Sequence, residues 1–426
     1  MRTTASHVVL IVAGLFGIAF ASSAAALDEK LRAEAELAVE RGLAYLASTQ
    51  NEDGSWSPEV GPAITGLALR GFLENDGSQT ANRIENPAAQ KALAYVLDRV
   101  QPDGSIRDGE DGILANYNTA ICVSALTRLR ADPVAIAAIQ GGVRFLRDLQ
   151  WQIGMTDPDG NVIDEDHPWF GGAGYGNNGR PDLSNTQMML EALYEAGVPA
   201  DDPAFQRALV FITRLQGTAA NDYWPEGTIV QEGGFIYATS VNKDLIGVPQ
   251  SMASPEMTDE ARAGRPVSGL RNYGSMTYAG FKSYLYADLK ADDQRVHDAL
   301  SWLKANYTLD RNPGMPAEVD QQGLFYYYLV QGRALAAYGA DTLEVTKVSE
   351  NRLIADSPDE AVRLAVDVLK EGGITVQVDW RANLIEALLE RQDDDGNWAN
   401  TAPRWMETNP QLVTAYAVLT LQEALE

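Results

Sequence analysis

Three acidic side chains and a histidine fall in four consecutive residues: Asp164, Glu165, Asp166 and His167. Carboxylates held that close repel one another when ionised, which raises the pKa of at least one and equips it as a general acid. Asp164, Asp166 and His167 are therefore the candidate catalytic residues, and the same stretch also reads as a solvated acidic loop. The overlapping run "DPDGNVIDED" (157–166) offers Asp157, Asp159, Asn161 and Asp164 as oxygen donors for Ca²⁺, but Val162 stands where an EF-hand loop requires Gly. Trp169, Tyr175, Arg180, Asn185, Arg271 and Tyr273 follow in or beside long connecting segments. A glycan hydrolase needs two carboxylates flanking the scissile bond. A lyase needs a base such as Tyr or His and an Arg or Asn to neutralise a uronate. The loops hold such groups, and the aromatics of "PWFGGAGYGNNGRPD" suit a sugar platform or, equally, a rigid structural loop.

Composition narrows the partners. The formal net charge is −26 over 426 residues, a balance that repels nucleic acid and anionic membranes. The single cysteine, Cys122, permits no intramolecular disulfide, and its apolar setting "NTAICVSAL" reads as that of a buried small hydrophobe. The first 26 residues have one basic residue, an apolar run "VVLIVAGLFGIAF" and small residues ending at Ala24 and Ala26, the pattern of an export signal cut after Ala26. No other stretch is long and apolar enough to cross a bilayer, so the mature chain, 27–426, is expected to be exported to the periplasm or beyond, without an integral membrane segment.

The elements that must position these groups are written as a repeat. "TQNEDGSW" (49–56) returns as "RQDDDGNW" (391–398), both Gln-x-x-Asp-Gly-x-Trp: Gln50, Asp53, Gly54, Trp56, and Gln392, Asp395, Gly396, Trp398. Each copy sits between two runs with apolar residues at helical spacing, so the motif is the loop of a helical hairpin. Asp-Gly supplies the turn because Gly accepts a positive φ without steric cost. Weaker copies follow, with second helices at 116–129, 183–197, 273–289, 321–339 and 409–425, each with Thr or an aromatic near its start: Thr65 in the first, then Thr119, Thr186, Thr277, Phe325 and Thr414. Six hairpins result. The segment 341–377 mixes β-branched runs with one helix and reads as an insertion. Connections within hairpins (153–182, 217–272) are long and those between hairpins are short, which puts every long loop at one end. The best-formed motifs lie in the first and last repeats, as if each had two neighbours. The expected fold is all-α, a single (α/α)6 toroid with second helices lining the centre.

The Gln-x-x-Asp-Gly-x-Trp signature between paired helices resembles the QW motif of squalene–hopene and oxidosqualene cyclases, and the chain resembles the prenyltransferase/squalene-cyclase repeat superfamily over nearly all of residues 30–426. The resemblance implies a structural role for Gln50, Trp56, Gln392 and Trp398, with Gln tied to a neighbouring helix end and Trp stacked beneath it. It implies a terpenoid-type cavity, and in the alkene-protonating members an Asp-x-Asp-Asp acid at an inner-helix start, to which "DEDH" is the nearest text. It does not imply the zinc site of the protein prenyltransferases. Cys122 has no Asp two residues before it, and His297 falls on an outer helix. No metal and no cofactor is expected.

In such a ring the six inner helices aim their N-termini, with their unpaired N–H groups and partial positive charge, at the long-loop end. The cavity behind them is expected to be apolar and aromatic, with Tyr273, Tyr278 and Tyr326 among its walls. The leading expectation is binding of a small hydrophobic or isoprenoid-like ligand, with Trp169, Tyr175, Asn185, Arg271, Tyr273, Tyr278 and Tyr326 as contacts. A glycan ligand, for a polysaccharide lyase or glycoside hydrolase on the same toroid, is the alternative. A non-catalytic ligand- or protein-binding toroid is the third reading. Export argues against a prenyl diphosphate or squalene drawn from the cytoplasm.

Overall fold

A computed structural model describes residues 27–74, 83–109, 112–176, 179–218, 221, 223, 233–238, 272–347 and 374–426. Among these the chain is mostly helical, with twelve α-helices and one small two-stranded sheet. The helices pair in sequence: α1 (Glu29–Ser48) with α2 (Ala63–Glu74), α3 (Pro87–Asp98) with α4 (Ala115–Leu126), α5 (Pro133–Leu149) with α6 (Leu183–Glu195), α7 (Pro203–Thr213) with α8 (Gly274–Tyr286), α9 (Gln294–Ala305) with α10 (Leu324–Tyr338), and α11 (Trp380–Leu389) with α12 (Pro410–Leu425). The first 26 residues, Arg271 and 348–373 lie outside the described residues, so the export signal, one candidate contact and the helix of the 341–377 segment are not described. The ends of that segment form β1 (Thr342–Lys347) and β2 (Ile374–Asp379), paired antiparallel with Val345 opposite Val376 and resting on α9.

The first helix of each pair starts on its own side-chain cap. Asp28, Asn86, Asp132, Asp202, Asp293 and Asp379 each accept backbone N–H groups of the first turn, and Pro opens α3, α5 and α7, where a missing N–H costs nothing. These caps start α1 and α5 several residues before the apolar runs that mark them in the sequence. The first helices bury one stripe. In α5 it is Ala135, Ala138, Gly142, Phe145, Leu146 and Leu149, the helical spacing of an amphipathic face. The second helices are buried nearly all round, α4 continuously from Asn118 to Leu126.

The second helices pack on one another in order: α2 on α4, α4 on α6, α6 on α8, α8 on α10, α10 on α12, and α12 on α2. The last hairpin therefore lies beside the first. Gln392 Nε2 donates to the Ala38 carbonyl at 2.9 Å, Arg41 Nη2 to the Asp393 carbonyl at 2.8 Å, and Gln422 Nε2 to the Gly71 carbonyl at 2.8 Å.

One set of bonds recurs around these contacts. Gln50, Gln150, Gln216 and Gln392 each donate from Nε2 to a carbonyl of the next first helix: Ala88 of α3, Ala204 of α7, Arg295 of α9 and Ala38 of α1. Thr65, Thr119, Thr186, Thr277 and Thr414 each accept, at Oγ1, the backbone N–H of the residue two beyond the turn glycine: Trp56, Ile106, Ala173, Phe235 and Trp398. That gives the threonines at the second-helix starts a structural task. Trp56 and Trp398 donate their indole N–H to Leu46 and Leu388 carbonyls at 2.8 Å and are fully buried. The glycines are fixed by close approach as well as by φ. A Cβ on Gly171, at φ +83°, would lie 1.9 Å from the Arg207 carbonyl oxygen of α7.

Candidate functional site

The starts of all six second helices converge on one cavity of about 430 Å³. Ile64 and Leu67 come from α2, Tyr117 and Ile121 from α4, Ser184 from α6, Ser275 and Met276 from α8, Tyr326 from α10, and Leu412 and Tyr416 from α12. The loops before these helices add Leu114, Tyr175, Arg180, Tyr237, Tyr273, Arg404, Trp405, Met406 and Glu407. The walls are predominantly apolar and aromatic, and the volume falls in the range that holds one small-molecule ligand.

Local caps in trans place these helix starts. The Ala63 N–H donates to Asn118 Oδ1 (2.8 Å), Ser275 N–H to Asn312 Oδ1 (3.0 Å) and Tyr326 N–H to Glu407 Oε1 (2.8 Å), each acceptor lying in or before the next second helix. Neighbouring hairpins thus position one another at the cavity. The backbone is strained there too: Leu114, Trp405 and Met406 all line the cavity with φ of 55°, 54° and 63°, a region non-glycine residues seldom occupy. Trp405 rests against Gly323, where a Cβ would meet its ring at 2.9 Å.

Two carboxyls stand at this end. Asp182 caps α6, accepting from the Asn185 N–H and Nδ2 at 2.8 Å each. Burial pushes it up to about 6 in spite of those bonds. Glu407 is fully buried, and burial pushes it up to about 7 against the bonds from Asn400 and from the first N–H groups of α10. Burial also keeps the Tyr117 and Tyr326 phenols protonated well beyond their usual range.

At its far side the cavity gives way to ion pairs. Leu67 and Ile121 line both the cavity and a void of about 10 Å³, whose other walls include Arg70, Ser124, Glu191 and Arg333. Arg70 pairs with Glu74 (2.7 Å) and Glu195 (2.8 Å), while Lys282 and Arg333 both pair with Glu191, all nearly buried. Burial opposes the charge on Glu191, but Arg333, Lys282 and Arg70 together hold its carboxyl well below the usual range.

Of the residues singled out in the sequence, Tyr175, Arg180, Tyr273 and Tyr326 line the cavity. Asn185 is buried one layer behind it on Asp182, and Tyr278 is buried against Tyr327, their ring centroids 5.8 Å apart. Asp164, Asp166, His167 and Trp169 are not on its lining. Asp164 and Asp166 are exposed, and Asp164 caps a turn by accepting the Asp166 N–H. His167 and Trp169 belong to a separate cluster with Trp151, Ile163 and Phe170. His167 Nε2 lies 3.5 Å from Asp157, and burial lowers its pKa despite that carboxylate. Asp157 in turn accepts from the Asp159 N–H and from the Asn161 N–H and Nδ2. That is the arrangement of the turns of the repeat: residues 51–55, 101–105 and 393–397 close by the same pair of backbone bonds as 157–161. "DPDGN" is thus a tight turn of the same form, added before the repeat's own turn at Gly171, with the Asp157 carboxylate bonded inside it, and among the described residues no three acidic, His or Cys side chains cluster as metal ligands.

The residues missed in the sequence are Tyr117, Ser184, Tyr237, Tyr416, Arg404, Trp405 and Glu407. A signal existed for one of them. The text at the α6 start, Asp182-Leu183-Ser184-Asn185, is a polar run that opens a second helix. Ser184 holds the third place and faces the cavity. A hydroxyl there lacks the acidity to protonate an alkene.

No family model matches the chain. The drimenyl diphosphate synthase of Streptomyces showdoensis is 34% identical over 91 residues, which cover 20% of this chain and 16% of that enzyme. Among solved structures, a variant of the type II terpene cyclase MstE from Scytonema, in complex with merosterolic acid A, aligns over 94% of this chain and 99% of its own at 14% identity and a TM-score of 0.48. A wild-type glycosidase aligns over the same shares at 13% identity and a TM-score of 0.48.

Proposed function

We propose that the chain is an (α/α)6 toroid that binds a hydrophobic, isoprenoid-like ligand in the cavity at the N-terminal end of its second helices. One observation carries the reading: six helix starts enclose a single aromatic, largely apolar cavity of about 430 Å³, backed by ion pairs on its far side. The closed order of contacts among the second helices supports the ring, and the Gln and Thr bonds repeated from hairpin to hairpin support its six-fold plan. Apolar surface of that extent gains most from covering apolar ligand surface, at about 25 cal/mol per Å². Acid chemistry from Asp164 and Asp166 is no part of the proposal, because their carboxyls are exposed and off the lining. Export belongs to it, on the strength of the sequence of residues 1–26. Among the described residues no helix is long and apolar enough to cross a membrane.

The test is titration of residues 27–426 with geranylgeraniol, with a maltooligosaccharide and with polygalacturonate, read by thermal unfolding and by tryptophan fluorescence. Trp405→Phe identifies the cavity signal. The isoprenoid alcohol is expected to raise the unfolding temperature and to perturb Trp405, as any ligand of the folded state alone must stabilise it. Stabilisation by a glycan with none by the isoprenoid, or release of unsaturated uronates absorbing in the ultraviolet, rejects this reading in favour of a glycan-active toroid.

A further inference from the structure

We propose that Tyr117, Ser184 and Tyr326 form a hydroxyl anchor on the cavity wall, and that the ligand therefore carries an acceptor oxygen, such as a hydroxyl, and is not a bare hydrocarbon. The inference rests on the cavity-binding reading above and narrows it.

Three hydroxyls from three helices meet there. Tyr117 Oη on α4 bonds Ser184 Oγ on α6, and Ser184 Oγ bonds Tyr326 Oη on α10 at 2.8 Å. All three residues line the cavity. α10 does not follow α6 in the packing order, since α8 stands between them, so the Ser184–Tyr326 bond crosses the space the helices enclose.

Counting hydrogens shows what is left over. Three hydroxyls carry three hydrogens, and two bonds among them use two. Whichever way the chain of bonds runs, one O–H points out of the trio. Gln187 does not take it as built, because its Nε2 is a further donor to Tyr326 Oη, at 3.2 Å. Gln187 itself is fully buried, and its Oε1 has no hydrogen-bond partner. Turning the amide over would give Tyr326 an acceptor and strand the amide N–H groups instead, so an unpaired polar group remains in either orientation. The first orientation strands one acceptor and the turned one two donors, so the trio keeps its spare O–H, which faces a largely apolar cavity. A ligand oxygen, whether hydroxyl, carbonyl or ether, meets that donor by accepting from it. A hydrocarbon leaves it unmet. Around the trio the walls are Ile64, Leu67, Ile121 and Leu412, which suit the apolar remainder.

The experiment compares farnesol with its deoxy analogue, in which hydrogen replaces the hydroxyl. Affinities are measured by tryptophan fluorescence for the unaltered mature chain and for the triple variant Tyr117→Phe, Ser184→Ala, Tyr326→Phe, with circular dichroism as the check on folding. The unaltered protein is expected to prefer farnesol by about tenfold or more, the worth of one well-placed buried hydrogen bond. That preference should fall to near one in the triple variant, which removes all three hydroxyls, while affinity for the deoxy analogue holds. Equal binding of the two probes by the unaltered protein overturns the anchor and leaves the cavity reading intact. A preference that persists in the triple variant overturns it too, since the hydroxyl then sits elsewhere. Binding of neither probe rejects the cavity reading and the anchor with it. Should the triple variant fail to fold, the comparison of the two probes on the unaltered protein decides alone.

Discussion

Gln392 donates its side-chain N–H to the backbone carbonyl of Ala38, 354 residues earlier, at 2.9 Å, and the same nitrogen also reaches the Gly396 carbonyl at 2.9 Å. Gln50 makes the same two bonds, to Ala88 of α3 and to Gly54. The contact that joins the last hairpin to the first is thus chemically the contact that joins the first to the second.

Loss of that amide should weaken the fold without touching the cavity. Gln392→Ala removes two bonds to carbonyls and is expected to cost about 1–3 kcal/mol, with Gln50→Ala costing a similar amount. Urea unfolding measures both. A Gln392→Ala protein as stable as the parent would show that the first and last hairpins do not depend on this bond.

Two glycines at nearly the same φ should respond very differently to alanine. Gly160, at φ +87°, has nothing within 4 Å of an added Cβ, so Gly160→Ala meets only the left-handed backbone cost of about 1–2 kcal/mol. Gly171, at φ +83°, has the Arg207 carbonyl oxygen 1.9 Å from that position. Gly171→Ala must separate the loop from α7 and is expected to abolish soluble expression or lower the unfolding temperature far more. Matching effects in the two variants would remove close approach as the reason for Gly171.

The ion pairs behind the cavity give a third prediction. Glu191 faces Lys282, Arg333 and Arg70, all buried. Glu191→Ala leaves them short of a counter-charge and is expected to cost about 3–5 kcal/mol, the usual penalty for breaking a buried pair from one side. The double variant Glu191→Met, Lys282→Met removes one charge of each sign and should recover part of that loss. Equilibrium unfolding of the single and double variants checks the order.

Glu407 should leave its mark on stability against pH. Burial raises it from an ordinary 4.5 to about 7, so the folded protein holds this proton more tightly than the unfolded chain does. The sign follows: the stabilisation is complete below about pH 4.5 and is lost as pH rises through about 7. In Glu407→Gln the decline in unfolding free energy between pH 5 and pH 8 should be shallower, by on the order of 2 kcal/mol. Asp182, raised to about 6, and His167, lowered, titrate in both proteins and cancel in the difference. Parallel pH curves would show that Glu407 keeps an ordinary pKa.

By itself the sequence determined the helices and their pairing. Apolar residues at helical spacing, Asp or Asn caps followed by Pro, and Asp-Gly turns are local features, so the hairpins could be read from the chain, as could Gln50, Trp56, Gln392 and Trp398 between them. The threonines at the second-helix starts were visible, but their partners were not, because each bond runs to a loop residue whose place depends on how the hairpin folds back. Gln150 and Gln216 lacked the neighbouring Asp-Gly-x-Trp and went unnoticed, although they make the same bonds to α7 and α9. The site was the least legible. "DEDH" drew attention because four polar residues stand side by side, yet the cavity takes only one or two turns from each of six helices, and its residues lie far apart in sequence. Tyr117 stands between two asparagines, Ser184 in the polar start of α6, and Tyr326 in a run of three tyrosines. Only packing brings them into one hydrogen-bonded chain, and only a neighbouring hairpin supplies the cap, as Glu407 does for α10, that fixes where each helix begins.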